Sequence, residues 1–211
     1  MRQPSNEDIA TTFNRIAAGY DRPMGLFERH VAVGARVWAV SKARGAVIEI
    51  GVGTGLNLPL YGLGVQHVTG VDLADGMLAI ASKRLADAGV GRVELRRGDA
   101  QALDLPSESA DTVVSTFTFC TIPDPHAASR EAYRVLRPGG LFVLAEHGTS
   151  TRAVGRAVLR ALEPLSIRFG ADHLTRDPVP YLTGAGFRVT EVHRGGPGGV
   201  IFRILARKDD A

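Results

Sequence analysis

Apolar positions recur along this chain with two spacings, and the two spacings alternate. Short apolar runs, typical of buried strands, lie at 46–50, 67–71, 92–96, 111–117 and 141–147. Between these runs, segments with helix-like patterns recur, as expected of helices that pack one face on a core. The alternation predicts a parallel sheet covered by helices on both faces.

The first forty residues predict helices. Ser5 and Asp8 have the spacing of a capping box, and the apolar residues that follow share one helical face: Ile9, Phe13, Ile16, Ala17 and Tyr20. A second helical stretch covers about 23–42. Together they predict an N-terminal helical segment ahead of the first strand.

Acidic residues mark the starts of two later helices. Asp75 is the predicted N-cap after the second strand, and Asp124 with Pro125 begins a helix that ends at "RPGG", residues 137–140. Two strands close the chain, at 187–195 and 200–208, and the short link "GPGG" between them favours an antiparallel hairpin. We therefore predict a Rossmann-like, seven-stranded, mostly parallel α/β sheet with an antiparallel C-terminal edge hairpin.

Composition narrows the class of protein. With 211 residues, 45% of them hydrophobic, we expect one domain over 1–211. The net charge of +3 is interspersed and does not require nucleic-acid binding. The lone Cys120 excludes an internal disulfide framework, and no cluster of His and Cys predicts a metal site. The chain shows neither a signal peptide nor a membrane span, so a cytoplasmic protein is expected.

The loop after the first strand, "VIEIGVGTG", is the main candidate for ligand binding. It places Glu49, Gly51, Gly53 and Gly55 at alternate positions, and glycines there let a ligand approach the backbone. The dinucleotide fingerprint requires a glycine at 56, where this chain has Leu56. An acid at the end of the second strand, Asp72, suits a ribose, so NAD and an adenosyl ligand both remain open.

Five segments, in the order that the family has them, resemble the class I S-adenosylmethionine-dependent methyltransferases: "FNRIAAGYD", "VIEIGVGTG", "VTGVDLADGML", "GDAQALDLP" and "EAYRVLRPGG". The first of these, "FNRIAAGYD", precedes the first strand. The segment "FNRIAAGYD" is similar to the entry segment of the quinone-biosynthesis methyltransferases. The segment "TFCTIPDP" resembles the sequences of bacterial phosphatidylethanolamine N-methyltransferases and of methyltransferase-like thiol methyltransferases. The resemblance implies S-adenosyl-L-methionine as cofactor. It also implies the cofactor-binding residues, which are Glu49, Gly51, Gly53, Gly55, Asp72, Leu73, Met77, Asp99, Ala100 and Thr116.

The end of the fourth strand is the predicted acceptor side, lined by Phe117 and Phe119. The acid or Asn followed by Pro-Pro-aromatic, typical of methyltransferases acting on nucleic-acid bases, is missing there, so we expect no nucleic acid. His147 and His126 are candidate general bases, although a lone histidine is more often structural or exposed. Tyr20 either contacts the sulfonium through its ring or packs in the core.

Residues 148–178 are the candidate acceptor lid, with the helices of 1–42 over the site. Within the lid, Arg152, Arg156 and Arg160 share a helical face. Three interpretations of this face remain open: it is solvated, it contacts an acidic lipid surface, or it binds an anionic substrate. The leading function is methyl transfer to a small or amphiphilic acceptor, such as a lipid amine, a quinone or phenol, or a thiol. The alternative is a non-catalytic S-adenosylmethionine-binding sensor or scaffold; a nicotinamide dehydrogenase is disfavoured by Leu56.

Overall fold

The structure is a computed structural model that describes residues 3–88 and 91–210. Within these ranges, seven strands form one sheet: β1 (Gly45–Ile50), β2 (Val65–Asp72), β3 (Val93–Arg97), β4 (Ala110–Thr116), β5 (Leu136–His147), β6 (Arg188–Gly195) and β7 (Ile201–Arg207). Their order is β3-β2-β1-β4-β5-β7-β6. The first five strands pair in parallel, and β7 pairs antiparallel with β5 and β6. The predicted mostly parallel sheet with a C-terminal antiparallel hairpin is confirmed.

Seven α-helices accompany the sheet in the same described ranges: α1 (Asn6–Ile16), α2 (Asp21–His30), α3 (Ala35–Ser41), α4 (Asp75–Ala88), α5 (Pro125–Val135), α6 (Ala153–Gly170) and α7 (Val179–Gly184). Helices α3 and α4 contribute to core clusters on one face, and α5 and α7 pack on the other. Strand register places Ile48, Val113 and Phe142 side by side under α5. Helices therefore cover both faces, as predicted.

The order of the strands fixes where a ligand can enter. After β1 the chain builds outward through β2 and β3, then crosses back to place β4 on the other side of β1. The loops after β1 and β4 therefore diverge at the carboxyl edge of the sheet. Open α/β sheets bind ligands in the crevice at such a reversal.

The N-terminal helices differ from the prediction. The single stretch over 23–42 is wrong, because α2 and α3 are separated by a turn in which Gly34 has a φ of +68°. The turn lets α3 bury Ala35 and Ala39 while α2 buries no residue fully. The capping box of Ser5 and Asp8 is confirmed. Tyr20 lies beyond the end of α1, after a short 3-10 turn.

Smaller differences concern element boundaries. Asp75 is the first residue of α4 rather than the cap before it. The "RPGG" segment, 137–140, lies inside β5, whose register shifts where β4 pairs with it between Ala110 and Thr112. That 1–211 forms one domain stays a prediction. Across the described ranges, no helix combines the length and the apolar character needed to cross a bilayer.

Candidate functional site

A cavity with about 610 Å³ of empty space opens at the carboxyl ends of β1, β2 and β4, and we name it the first cavity. Seven of the predicted cofactor-binding residues line it: Gly51, Gly53, Asp72, Leu73, Met77, Asp99 and Ala100. Other lining residues come from α1 and from the segment after β4, among them Phe13 and Thr118. The resemblance thus predicted residues that the fold does bring together around one space.

The glycine loop requires glycine at two positions, each of which packs against a different neighbour. At Gly51, φ is +68° and an added Cβ would overlap the side chain of Thr118. At Gly55, φ is +79° and a Cβ would lie 2.8 Å from Leu58 Cδ1 and 3.2 Å from Ala81 Cβ. Gly55 therefore packs toward α4 and does not line the first cavity, and its predicted contact with the cofactor stays a prediction.

Asp72 joins the end of β2 to the glycine loop. Its carboxylate accepts hydrogen bonds from the backbone N–H of Gly53 at 2.8 Å and of Ala74 at 2.9 Å. Burial raises the pKa of Asp72 above its usual value, although these N–H donors oppose the rise. A carboxylate offers about four acceptor positions, so two bonds leave capacity for ribose hydroxyls. That contact stays a prediction.

The N-terminal helix α1 closes the first cavity beside Asp99. Asp99 accepts hydrogen bonds from Asn6 Nδ2 at 2.6 Å and from the backbone N–H of Gln101 at 2.9 Å. Asn6 begins α1, so this bond ties α1 to the loop after β3. Asn6 was not predicted, because it lies 93 residues from Asp99 in the chain and only the fold brings the two together; Gln101 was not predicted, because no motif marks it.

Glu49 and Thr116 lie behind the glycine loop and not in the first cavity. Both carboxylate oxygens of Glu49 accept hydrogen bonds, from Asn57 Nδ2 at 2.8 Å and from the Tyr61 hydroxyl at 2.7 Å. Thr116 Oγ1 accepts from Asn57 and from Arg36, each at 3.1 Å. This buried network engages their polar atoms behind the loop, and their expected contact with the cofactor stays a prediction.

The network carries buried charge. Burial raises the pKa of Glu49 to about 7, against hydrogen bonds from Tyr61 and Asn57 and the positive charge of Arg36. Arg36, from α3, also pairs with Glu28 of α2 at 2.5 Å. The network therefore links β1, the glycine loop and the N-terminal helices. Arg36 and Asn57 were missed, since isolated polar residues in a helix or turn give no motif.

A second cavity, with about 640 Å³ of empty space, adjoins the first. The two share three lining residues, Phe13, Tyr20 and Thr121. Phe27 and Phe117 form part of the second cavity, with their rings edge to face at a centroid distance of 5.4 Å. Burial raises the pKa of Tyr20 well above its usual value, so its phenol stays neutral. Tyr20 therefore sits at the boundary as a neutral aromatic group.

His147 and Asp172 bring polar chemistry into the second cavity. His147 Nε2 lies 3.1 Å from Asp172 Oδ1. Burial opposes charge on His147, but the interaction with Asp172 and the charge of Glu146 outweigh it and raise the pKa of His147. Cys120 also lines this cavity, and burial raises the pKa of its thiol. Asp172 was missed, because it lies in the lid segment outside any motif.

Two predicted acceptor-side residues lie elsewhere. Phe119 points into the core, where its ring packs 5.7 Å from that of Phe142. His126 is exposed on α5, and its ring packs 4.8 Å from that of Tyr181, outside both cavities. Their expected roles are therefore corrected. The chain turns at Phe117, whose φ is +55°, in the loop after β4. As a result Phe117 lines the second cavity, whereas Phe119, two residues later, packs in the core.

Comparison with known proteins gives consistent findings. A family model described as "Methyltransferase domain" matches residues 48–144. A phosphatidylethanolamine N-methyltransferase of Cereibacter sphaeroides is 39% identical over 146 residues, which are 66% of this chain and 71% of that protein. A demethylmenaquinone methyltransferase of Clavibacter sepedonicus is 30% identical over 67% of this chain and 58% of its own length, which is under two thirds. A solved S-adenosylmethionine-dependent methyltransferase of Thermotoga maritima, 25% identical, matches with a TM-score of 0.72 over 94% of this chain and 99% of its own.

Proposed function

Because this chain belongs to the class I S-adenosylmethionine-dependent methyltransferases, we propose that it methylates the amine of an amphiphilic acceptor, with a phospholipid amine as the leading candidate. The second cavity carries this proposal. Its lining is largely aromatic and aliphatic, yet includes His147 and Asp172. Such a space suits a molecule with one polar nucleophilic group on an apolar body.

The first cavity fits the cofactor. Gly53 has no side chain to fill the space beside the backbone, and Asp72 has acceptor capacity at the end of β2. Asp99 and Ala100 lie where the resemblance places the adenine, and Met77 offers a buried apolar surface. When bound, S-adenosylmethionine supplies an electrophilic methyl group bonded to a sulfonium. These residues would bind and orient it, so that an acceptor in the second cavity meets the methyl group in line.

The second cavity can hold an ammonium group and remove its proton. The Asp172 carboxylate attracts a cation, and the aromatic rings of Tyr20 and Phe27 line the same cavity, where a cation gains from contact with an aromatic face. An amine attacks only through a free electron pair, so the ammonium must first lose a proton. His147 is placed to accept that proton, and Asp172 stabilises the imidazolium that results.

A quinone or phenol ring is the second candidate acceptor. The edge-to-face pair of Phe27 and Phe117 offers flat apolar surface for an aromatic ring. The similarity to a demethylmenaquinone methyltransferase favours this candidate, whereas the higher identity to a phosphatidylethanolamine N-methyltransferase favours the amine. A non-catalytic binding protein is less consistent with the geometry, because it has no need of a second cavity that adjoins the first at Tyr20.

The test is methyl transfer from radiolabelled S-adenosylmethionine to acceptors in mixed micelles. Phosphatidylethanolamine, a demethylmenaquinol and an alkyl thiol are compared, with mass spectrometry to locate the new methyl group. We expect N-methylated phosphatidylethanolamine as the main product. Methylation of the quinol carbon alone would support the second candidate. Cofactor binding without transfer to any of the three would contradict the amine proposal.

A further inference from the structure

The outward face of α6 is apolar. Five large apolar side chains recur along it every three or four residues and so share one side of the helix: Val154, Val158, Leu162, Leu165 and Phe169. Each is at least half exposed, from 50% at Leu162 to 76% at Val154. We call these five residues the α6 stripe. A surface helix normally turns such a stripe toward the core, and a contiguous exposed one indicates an interaction site.

Two polar side chains of α6, Glu163 and Arg156, are held by hydrogen bonds to neighbouring segments instead. Glu163, the single acidic residue of α6, accepts hydrogen bonds from the backbone N–H of Thr175 at 3.0 Å and from its hydroxyl at 2.8 Å. Arg156 Nη1 donates to the carbonyl oxygen of Thr151 at 2.9 Å. These contacts set the rotation of α6 about its axis. The outward direction of the α6 stripe is therefore built into the fold.

Cations accompany the α6 stripe. Arg160 and Arg168 are exposed residues of α6, and Arg152 stands immediately before its first turn. Within the described ranges, the Arg160 side chain has no hydrogen bond or ion pair. Because Glu163 points inward, no acid neutralises these arginines on the helix itself. The surface thus combines apolar side chains with uncompensated positive charge.

We propose that α6 lies on the surface of a bilayer containing anionic phospholipid, with the α6 stripe in the acyl boundary and the arginines at the phosphates. A helix with an apolar face beside basic residues binds in this way without crossing the membrane. Charge decides against a second copy of this chain as occupant. A two-fold contact through α6 would bring Arg160 and Arg168 toward the same cations of the partner.

The position of α6 connects this surface to the second cavity. Gly170, the last residue of α6, lines that cavity, as does Asp172 two residues further on. An amphiphile could keep its apolar chains in the bilayer while its head group enters beside Asp172. This delivery step rests on the proposed function, whereas the binding of α6 to lipid does not.

Sedimentation with vesicles tests the proposal on the full chain. Phosphatidylcholine vesicles are compared with vesicles that also contain phosphatidylglycerol, for the wild type and for a double variant, Leu165→Ser with Phe169→Ser. We expect binding to the anionic vesicles and a loss of about tenfold or more in the double variant, since two apolar anchors leave the acyl boundary. Leu63→Ser, at a residue that is 99% exposed elsewhere, is the matched control and should bind as the wild type.

Charge is tested by Arg160→Glu with Arg168→Glu, which should weaken binding to anionic vesicles about tenfold. Arg130→Glu, at an exposed arginine of α5, should bind as the wild type. Absence of wild-type binding to anionic vesicles, or an equal loss in Leu63→Ser, would overturn the proposal. The proposal would also be overturned if light scattering showed that the wild type is a dimer and that the stripe variants are monomers. Methylation of a short-chain, monomeric phosphatidylethanolamine separates the two proposals: loss of lipid binding leaves that activity intact, whereas failure of the proposed function abolishes it in every variant.

Discussion

The two cavities are built from different parts of the fold. The first is lined by main chain and carboxylates at strand ends, as at Gly51, Gly53 and Asp72. The second is lined by side chains from α2 and from the segment after α6, as at Phe27 and Asp172. The register of the parallel strands fixes the lining of the first cavity, whereas replacing a few side chains changes the lining of the second. Under the proposed function, cofactor binding is therefore a property of the sheet, and acceptor choice is a property of the helices over it.

Asp72→Ala should have the largest effect, and only on the first cavity. It removes the acceptor predicted to bind two ribose hydroxyls and the anchor of Gly53 N–H. Hydrogen bonds to a charged group contribute about 1.5–3 kcal/mol each, so we expect the dissociation constant of S-adenosylhomocysteine to rise at least about 100-fold. Calorimetric titration measures it. Asp75→Ala, exposed at the start of α4, is the control, and unchanged binding by a folded Asp72→Ala would refute the assignment.

His147→Asn should act on the second cavity alone. Loss of a general base lowers kcat by roughly 100-fold or more, while the affinity for S-adenosylhomocysteine stays at its wild-type value. His126→Asn makes the same chemical change at an exposed histidine of α5, outside both cavities, and should leave kcat unchanged. Equal effects of the two substitutions would remove His147 from the mechanism.

Asp172→Asn should have a smaller effect on rate, about tenfold in kcat, together with a shift in pH dependence. The Asp172 carboxylate helps to raise the pKa of His147, and the base must be neutral, so the wild-type rate should increase with pH through a midpoint above the usual histidine value. Without the Asp172 carboxylate, only the charge of Glu146 still opposes burial, so the midpoint falls. A pH–rate profile of kcat distinguishes this result from a merely structural loss, which would leave the midpoint in place.

Glu49→Gln should change stability more than catalysis. The pKa of Glu49 in the folded protein is about 7, above the 4.5 of an ordinary glutamate, so the folded state binds the extra proton between these values. The free energy of unfolding therefore falls as pH rises from about 4.5 to about 7, by up to about 3 kcal/mol. Urea denaturation should show a flatter pH dependence in Glu49→Gln. The exposed control Glu7→Gln should retain the wild-type slope.

The sequence predicted the sheet well because strand periodicity and glycine or acidic endings are local signals. It also predicted the first cavity through Asp72, Asp99 and the glycine loop, whose spacing is set by strand ends. It did not predict the buried network of Glu49 and Thr116, since a position next to a ligand-binding loop does not show which side a buried polar side chain faces.

The second cavity was harder to predict, because its residues come from distant segments. Asp172 reaches His147 only through the course of the lid after α6, and no local pattern marks it. The break between α2 and α3 at Gly34 was also missed, because apolar residues at helical spacing continue across it. The row of arginines at 152, 156 and 160 was noticed, yet the more informative α6 stripe appears only once the inward direction of Glu163 is known.

A crystal structure of the protein with S-adenosylhomocysteine tests the central claim most directly, that the two adjoining cavities divide cofactor and acceptor at Tyr20. We expect the ribose hydroxyls on Asp72, the amino-acid end beside Gly51 and Gly53, and the sulfur facing Tyr20 and the second cavity. A ligand in the second cavity, or a sulfur turned away from Tyr20, would contradict it.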